Sequence, residues 1–291
     1  MKSVVAAPTE MPPLNTSALS TAYHVTTLVA DAPGNLNMSA PASSRGPTYL
    51  LAVRASHAWL ARAKMLLGQY RLCETACYLV DRAKDLSLEQ AIDMLQVTPA
   101  RPPPSGWMTR GKRDWEPTFS HLRAWAHMVS SHLGSPLGIF IEDDLELWVP
   151  PHTLHLGLAA CEVGTASVPS IAICYFGGCW GISAASGCQW NGAPPQGCPD
   201  RENRTLGRLA DGSQLMGLQR FWPVKTGMMA NRCVGFYVLS QLGALRLLLT
   251  SRDVADWVHP TDHHINSLAW HDRTLRVSFI EPPMGCQVGE L

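Results

Sequence analysis

The sequence comprises 291 residues, with 23 Lys plus Arg, 23 Asp plus Glu and a formal net charge of zero. This balance lacks the positive charge with which nucleic-acid-binding proteins attach to phosphates, so we predict no nucleic-acid partner. Hydrophobic residues make up 46%, which excludes a chain that is disordered throughout. No stretch reaches the roughly 20 consecutive apolar residues of a membrane helix, so we predict no transmembrane segment.

The N-terminal stretch differs in composition from the rest of the chain. Residues 1–47 are rich in Ala, Pro, Ser and Thr and have no apolar period, which predicts a disordered leader. Residues 48–291 are predicted to form one domain. A segment rich in Cys, Gly and Pro at about 174–200 is predicted to be an insertion in that domain.

Apolar runs alternate with helical patterns along the first part of this domain. The predicted order is strand Tyr49–Val53, helix Ser56–Gly68, strand Ala76–Val80, a helix opened by Ser87, helix Thr118–Leu133 and strand Leu137–Ile141. Strands that alternate with helices predict an α/β fold with a mostly parallel central sheet.

The second part of the domain is less regular. The pattern becomes irregular after Pro150-Pro151, and later apolar runs predict strands at Ile171–Phe176, Val234–Leu239 and Thr274–Ile280. Ser240 is predicted to cap a helix that ends at Leu249.

The cysteines and glycosylation triplets bear on compartment. Four of the nine cysteines lie close together, at 174, 179, 188 and 198, without a C-x-x-C pair. Wide spacing argues against zinc, and leaves a disulfide-stapled loop or free thiols. Sequons at Asn15, Asn37 and Asn203 and the cysteines favour the lumen of the secretory pathway. The lack of a visible export signal favours the cytoplasm as the alternative.

The most informative segment is Ile139–Leu147, in which an apolar strand ends in Glu142, Asp143 and Asp144. In open α/β sheets, ligands bind at the carboxyl ends of strands. Carboxylates gathered there are hard oxygen ligands that suit Mn²⁺ or Mg²⁺, which can bridge a diphosphate. The alternative is a solvated acidic turn.

A second group of polar residues lies in Trp257–His264. Asp262 has the chemistry of a general base or of a group that positions a hydroxyl, and His263 or His264 could add a metal ligand. The segment has no H-E-x-x-H pattern, which argues against a zinc hydrolase. The alternative is a helix start capped by Thr261 or Asp262 with surface histidines.

A third candidate is His121, on the first turn of the predicted helix Thr118–Leu133. A histidine beside a helix N-terminus can hydrogen-bond a ligand phosphate or the backbone. The alternative is a polar side chain that packs in the core.

Taken in order, these segments resemble glycosyltransferase family 25, which includes lipopolysaccharide and collagen galactosyltransferases. The stretches that carry the resemblance, over roughly 48–288, are Tyr49–Val53, Val80–Ser87, Ser120–Trp125, Ile139–Leu147, Gly235–Ser240 with Gly243-Ala244, Pro260–Asp262, and Phe279–Pro283 with Gln287. Their order and spacing are more specific than any one of them.

The resemblance implies a GT-A type nucleotide-sugar-binding fold and a metal-dependent hexosyltransferase that uses a UDP-sugar. It implies transfer of a hexose, commonly galactose, with inversion, to a hydroxyl of a glycan, lipid-linked saccharide or glycoprotein. By position, Asp262 would be the general base. Asp143 and Asp144 would hold the metal ion and the diphosphate, and His264, from the residues of its own segment, is the candidate further ligand. The residues near the donor would be Asp81, His121 and Glu142.

The chain departs from the family pattern after the first strand, where Arg54–His57 replaces the usual arginine-rich start. Donor contacts from that loop and the identity of the acceptor therefore stay open. A non-catalytic family member that acts as an interaction module is the alternative.

Overall fold

A computed structural model gives the fold of much of the predicted domain. The residues it describes are 25–28, 46–54, 56–73, 76–82, 115–132, 137–147, 149–167, 171–176, 182–183, 188–189, 205–208, 214–221, 234–253, 261–262, 265, 276–281 and 284–287. The predicted helix after Ser87, the predicted ligand His264 and the three sequons lie outside these residues.

The centre of the fold is a nine-stranded sheet in the order β1-β3-β2-β4-β11-β6-β12-β10-β9. Its strands are β1 (Val25–Thr27), β2 (Thr48–Leu51), β3 (Cys77–Val80), β4 (Leu137–Glu142), β6 (Ile171–Tyr175), β9 (Thr205–Arg208), β10 (Gln214–Phe221), β11 (Phe236–Ser240) and β12 (Arg276–Glu281). Strands β2, β3, β4, β6, β9 and β12 run in one direction, and β1, β10 and β11 run in the other. The α/β class and a sheet with most strands in one direction are thus confirmed.

Two small antiparallel pairs lie beside this sheet. One joins β5 (Leu145–Leu147) to β13 (Gly285–Gln287), and the other joins β7 (Ile182–Ser183) to β8 (Cys188–Gln189). A Cβ at Gly285 would collide with the carbonyl oxygen of Glu146, so the close approach of β13 to β5 requires glycine there.

Four helices are described: α1 (His57–Gln69), α2 (Trp115–Ser131), α3 (Pro151–Ser167) and α4 (Gln241–Asp253). The predicted cap at Ser240 is confirmed, and Ser56, predicted as the start of a helix, also caps one. The Ser56 hydroxyl accepts from the Trp59 amide at 3.3 Å, and the Ser240 hydroxyl accepts from the Gly243 amide at 2.9 Å. None of the described helices combines the length and the apolar character needed to cross a membrane.

One face of the sheet, here called the apolar face, packs against α1 and α3. Its strand residues include Leu50, Ile139, Ile141, Cys174 and Val238. They form one core with Ala63, Leu66 and Leu67 of α1 and with Leu154, Leu158 and Cys161 of α3. Because side chains alternate along a strand, the intervening residues point to the opposite face.

The opposite face, here called the tyrosine face, carries a row of rings at matching register positions. From edge to centre these are Tyr78, Tyr49, Phe140, Tyr237 and Tyr175. Successive ring centroids lie 5.4, 5.0, 4.9 and 5.9 Å apart. Cross-strand aromatic pairs at this spacing stabilise a sheet beyond the area that they bury.

Helix α2 covers the tyrosine face with polar as well as apolar side chains. The histidines His121 and His127 of α2 bond the hydroxyls of Tyr237 and Tyr49 at 2.6 and 3.0 Å. His132, which follows α2, bonds Tyr78 at 2.9 Å. These bonds are possible because the phenol rings stand on the buried face with their hydroxyls toward the helix.

Disulfides join Cys73 to Cys77 and Cys161 to Cys174. Neither alternative for the segment 174–200, a disulfide-stapled loop or free thiols, holds for Cys174, whose partner lies outside that segment, in α3. Cys174 belongs to the buried strand β6. The spacing of cysteines in the sequence could not show this, because α3 and β6 meet only through folding.

Two further expectations differ from the structure. The stretch after Pro150 is the 17-residue helix α3, which has no acidic residue in its first turn. Proline is well tolerated at the first position of a helix, because its missing N–H would have no intrahelical partner there. Within the predicted leader, Val25–Thr27 pairs with β3 as an edge strand. The leader elsewhere, the single domain and the insertion stay predictions.

Candidate functional site at the carboxyl end of β4

The predicted acidic segment forms a tight, buried turn at the carboxyl end of β4. Glu142 ends the strand, Asp143 and Asp144 form the turn, and all three residues are at most 2% exposed. The Glu142 amide donates to the Gly235 carbonyl at 2.9 Å, and the Asp143 amide donates to the Leu51 carbonyl at 3.0 Å. The turn is therefore not a solvated surface loop.

Asp143 fastens the acidic turn to the loop after β2. Its Oδ1 accepts from the backbone amides of Val53 and Arg54 at 3.0 and 2.9 Å. Hydrogen bonds to an ionised acceptor are stronger than those to a neutral one, so this carboxylate orders the loop as well as carrying charge.

Asp144 pairs with a cation from the same loop. The Arg54 Nε lies 3.0 Å from Asp144 Oδ2, and the arginine side chain is 41% exposed whereas the aspartate is 3% exposed. The position at which the chain departs from the family pattern thus supplies a positive charge to the acidic turn.

Glu142 lies at the end of a buried chain of hydrogen bonds. The Trp125 Nε1–H donates to the Tyr237 hydroxyl at 2.9 Å. The single hydroxyl proton of Tyr237 is then available for His121 Nδ1, 2.6 Å away. His121 Nε2–H in turn donates to Glu142 Oε1 at 2.8 Å. This assignment gives each of these polar groups a partner and fixes the tautomer of His121.

Burial shifts the titration of these groups toward their neutral forms. It lowers the pKa of His121 to about 3, although the charge of Asp262 acts in the opposite direction. Burial, helped by the charges of Asp262 and Asp143, raises the pKa of Glu142 to about 8. Burial and Glu142 raise the pKa of Asp144 to about 7, against the pull of Arg54. The site therefore holds more carboxylates than its cations balance.

Asp262 lies close to this cluster although it is distant in sequence. Thr261 is buried and donates to the hydroxyl of Thr118 at 3.3 Å, one turn before His121 in α2. The half-buried Asp262 follows, and its charge shifts the pKa values of His121, Glu142 and Tyr175. The structure thus brings together the two acidic segments that the sequence singled out.

Asp81 lies at the same edge of the sheet but is exposed. The contact described for it is through its carbonyl, which accepts from Ser120 Oγ at 3.5 Å. Its neighbour Arg82 donates to the Val53 carbonyl at 2.9 Å and pairs with Glu116. Asp81 therefore borders the site as an exposed residue.

Carboxylate oxygens, such as those of the cluster, are the type of donor atom that a hard divalent cation prefers. Within the part of the chain that the structure describes, no group of three His, Cys, Asp or Glu side chains is arranged to hold a metal ion. The predicted ligand His264 lies outside that part.

The structure adds residues that sequence reasoning did not assign to the site. Tyr237 and Trp125 lie in motifs that carried the family resemblance, so a signal was present, but their bonds to His121 were not deducible. Arg54 was visible only as a departure from the family pattern. Tyr175 carried no signal, because nothing in the sequence shows that β6 lies beside β11.

No protein-family model matches the sequence, and no curated protein is similar to it. Among solved structures, the fold aligns with the crystal structure of mouse xyloside xylosyltransferase 1 in its apo form. The alignment has a TM-score of 0.32 and 11% sequence identity, and it covers 81% of this chain and 83% of that one. A TM-score this low identifies neither a family nor an activity.

Proposed function

We propose that this chain is a glycosyltransferase that moves a hexose, galactose first among the candidates, from a UDP-sugar to an acceptor hydroxyl. The observation that carries the proposal is the buried cluster of Glu142, Asp143 and Asp144 at the end of β4, within electrostatic reach of Asp262. The resemblance to family 25 and its GT-A type fold supports the same activity.

The proposed reaction is a single displacement with inversion. Asp262 would take the proton of the acceptor hydroxyl while its oxygen forms a bond to the anomeric carbon. The bond from that carbon to the phosphate oxygen breaks, and UDP leaves with the electron pair. The half-buried Asp262 stands beside the acidic cluster, which supports its role as the base.

Asp143, Asp144 and His264 are the residues we propose to hold Mn²⁺ or Mg²⁺. Such a cation, when bound, offsets the negative charge of the departing diphosphate. The chain's own part is to keep the carboxylates in position: two backbone amides hold Asp143, and Arg54 holds Asp144. Glu142 and Asp81 would line the donor site, and the buried His121 would act near the donor by orienting Glu142.

Release of UDP from a panel of UDP-sugars, with and without Mn²⁺, tests the proposal without a known acceptor, because water replaces the acceptor in slow hydrolysis. We expect release from one donor that depends on Mn²⁺ and falls by roughly 100-fold or more in Asp144→Ala. Release from no donor, with no thermal shift on adding UDP and Mn²⁺, would favour a non-catalytic interaction module.

A further inference from the structure

Tyr175 of β6 differs from the other tyrosines of its row. The residue is 2% exposed, and among the described residues its hydroxyl has no hydrogen-bond partner. The hydroxyls of Tyr237 and Tyr49, in the same row, bond His121 and His127. A buried hydroxyl without a partner is costly and uncommon, so this one calls for an explanation.

The position of Tyr175 connects it to the acidic cluster. It pairs in register with Tyr237, and the two ring centroids are 5.9 Å apart. The Tyr237 hydroxyl is 2.6 Å from His121, which is 2.8 Å from Glu142. Beyond burial, the charges of Asp262 and then Glu142 raise the pKa of Tyr175 well above its ordinary value. Tyr175 therefore lies beside the ring whose hydroxyl begins the hydrogen-bonded path to Glu142.

These surroundings select one class of ligand group. A phenol hydroxyl donates a proton, whereas the neighbouring carboxylates accept one. A sugar hydroxyl satisfies both, because it can accept from the phenol and donate to a carboxylate.

Building on the proposed function, we infer that the Tyr175 hydroxyl donates to a hydroxyl of the donor's sugar beside the acidic turn. Tyr175 would then be a residue that distinguishes the sugar nucleotide from the free nucleotide. Its lack of a partner in the ligand-free protein follows from this role.

The test is isothermal titration of UDP-galactose, UDP-glucose and UDP, each with Mn²⁺, into the wild-type protein and Tyr175→Phe. This change removes only the hydroxyl. We expect the variant to bind the preferred UDP-hexose about three- to tenfold more weakly, with unchanged affinity for UDP, as the loss of one neutral hydrogen bond predicts. We also expect an unchanged or higher unfolding temperature, because the lost hydroxyl has no partner in the free protein.

Tyr49→Phe is the matched control, since it removes a hydroxyl from the same row that already has a partner, His127. It should lower the unfolding temperature and leave both affinities unchanged. Equal loss of UDP and UDP-hexose affinity in Tyr175→Phe, no loss of either, or an unfolded variant would overturn the inference. Failure of the wild-type protein to bind any of the three nucleotides would instead overturn the proposed function.

Discussion

The two faces of the central sheet are built from the same strands but by different chemistry. On the apolar face, Leu50, Ile139 and Val238 pack against the side chains of α1 and α3, and the Cys161–Cys174 disulfide joins α3 to the sheet. On the tyrosine face, the alternating residues are rings, and several of their hydroxyls bond histidines in or beside α2.

This difference separates stability from function within one sheet. Apolar burial is non-directional and tolerates rearrangement, whereas a buried hydrogen-bond chain has one arrangement that gives every member a partner. The chain from Trp125 to Glu142 runs from the tyrosine face to the acidic turn and orients the first acid of that turn. Among the described residues, no comparable cluster of acids is connected to the apolar face.

The largest expected effect is a loss of activity without a loss of stability, at the acidic end of the tyrosine face. Asp262→Asn keeps the size of the side chain but removes the base. Transfer of the hexose to an acceptor, measured as release of UDP, should therefore fall about 100- to 10,000-fold. The unfolding temperature should stay close to that of the wild-type protein. Single-turnover release of UDP with the best donor and acceptor measures the activity, and thermal unfolding measures the stability. Wild-type turnover in this variant would refute the assignment of Asp262.

The apolar face should show the opposite behaviour. Leu154 of α3 is fully buried, so Leu154→Ala should lower the free energy of unfolding by about 2–5 kcal/mol. Affinity for UDP with Mn²⁺ should not change at temperatures where the variant is folded. Leu156→Ala, at a position 44% exposed on the same helix, is the control and should change stability by less than about 0.5 kcal/mol. A loss of affinity in Leu154→Ala alone would show that the two faces are not independent.

The disulfides sharpen the same comparison. Cys161–Cys174 closes a loop with a sequence separation of 13, so replacing both cysteines by alanine should cost about 3 kcal/mol of unfolding free energy. Cys73–Cys77 has a sequence separation of 4 and should contribute less, about 2 kcal/mol. Denaturant unfolding of the two double variants measures both. Equal stability of both variants and the wild-type protein would mean that these pairs are not bonded in solution.

The smallest expected effect is a loss of stability at low pH through His127, which lies on the tyrosine face away from the acidic cluster. Burial, together with His132, lowers the pKa of His127 to about 4. The unfolded chain therefore takes up the proton first, and the stability contributed by neutral His127 is full above about pH 6.5 and is lost as the pH falls toward 4. Since His127 is only half-buried, solvent screening reduces the effect to about 1 kcal/mol.

The measurement is the difference between the wild-type protein and His127→Asn, which can keep the bond to Tyr49. His121 and the carboxylates titrate in both proteins, so their contributions to the pH dependence cancel in the difference. The free energies of unfolding should converge as the pH falls from 7 to 4. A constant difference across that range would contradict the neutral state of His127.

Local sequence was enough to predict much of this architecture. The runs at Tyr49, Leu137 and Ile171 are apolar and short enough to be buried strands, and the hydroxyl of Ser240 caps the helix that it was expected to cap. Helix α3 was missed because a proline pair that often ends regular structure can also begin it.

The site was only partly predictable for a different reason. The acidic turn is a run of acids directly after an apolar strand, and Asp262 lies among histidines. Both patterns are visible in the sequence. Arg54 reaches the acidic turn because β2 lies beside β4, and Tyr175 reaches the row of Tyr237 because β6 lies beside β11. That strand order depends on contacts between distant segments, which no local pattern records.

The most direct test of the central claim is the binding of UDP to the wild-type protein and to Asp144→Asn, measured by calorimetry with and without Mn²⁺. The substitution keeps the shape of the side chain and removes its charge. We predict that Mn²⁺ strengthens UDP binding to the wild-type protein and has little effect on the variant, while both unfold at similar temperatures. Equal binding of UDP by the two proteins, or no binding by either, would contradict a nucleotide-sugar site at the acidic turn.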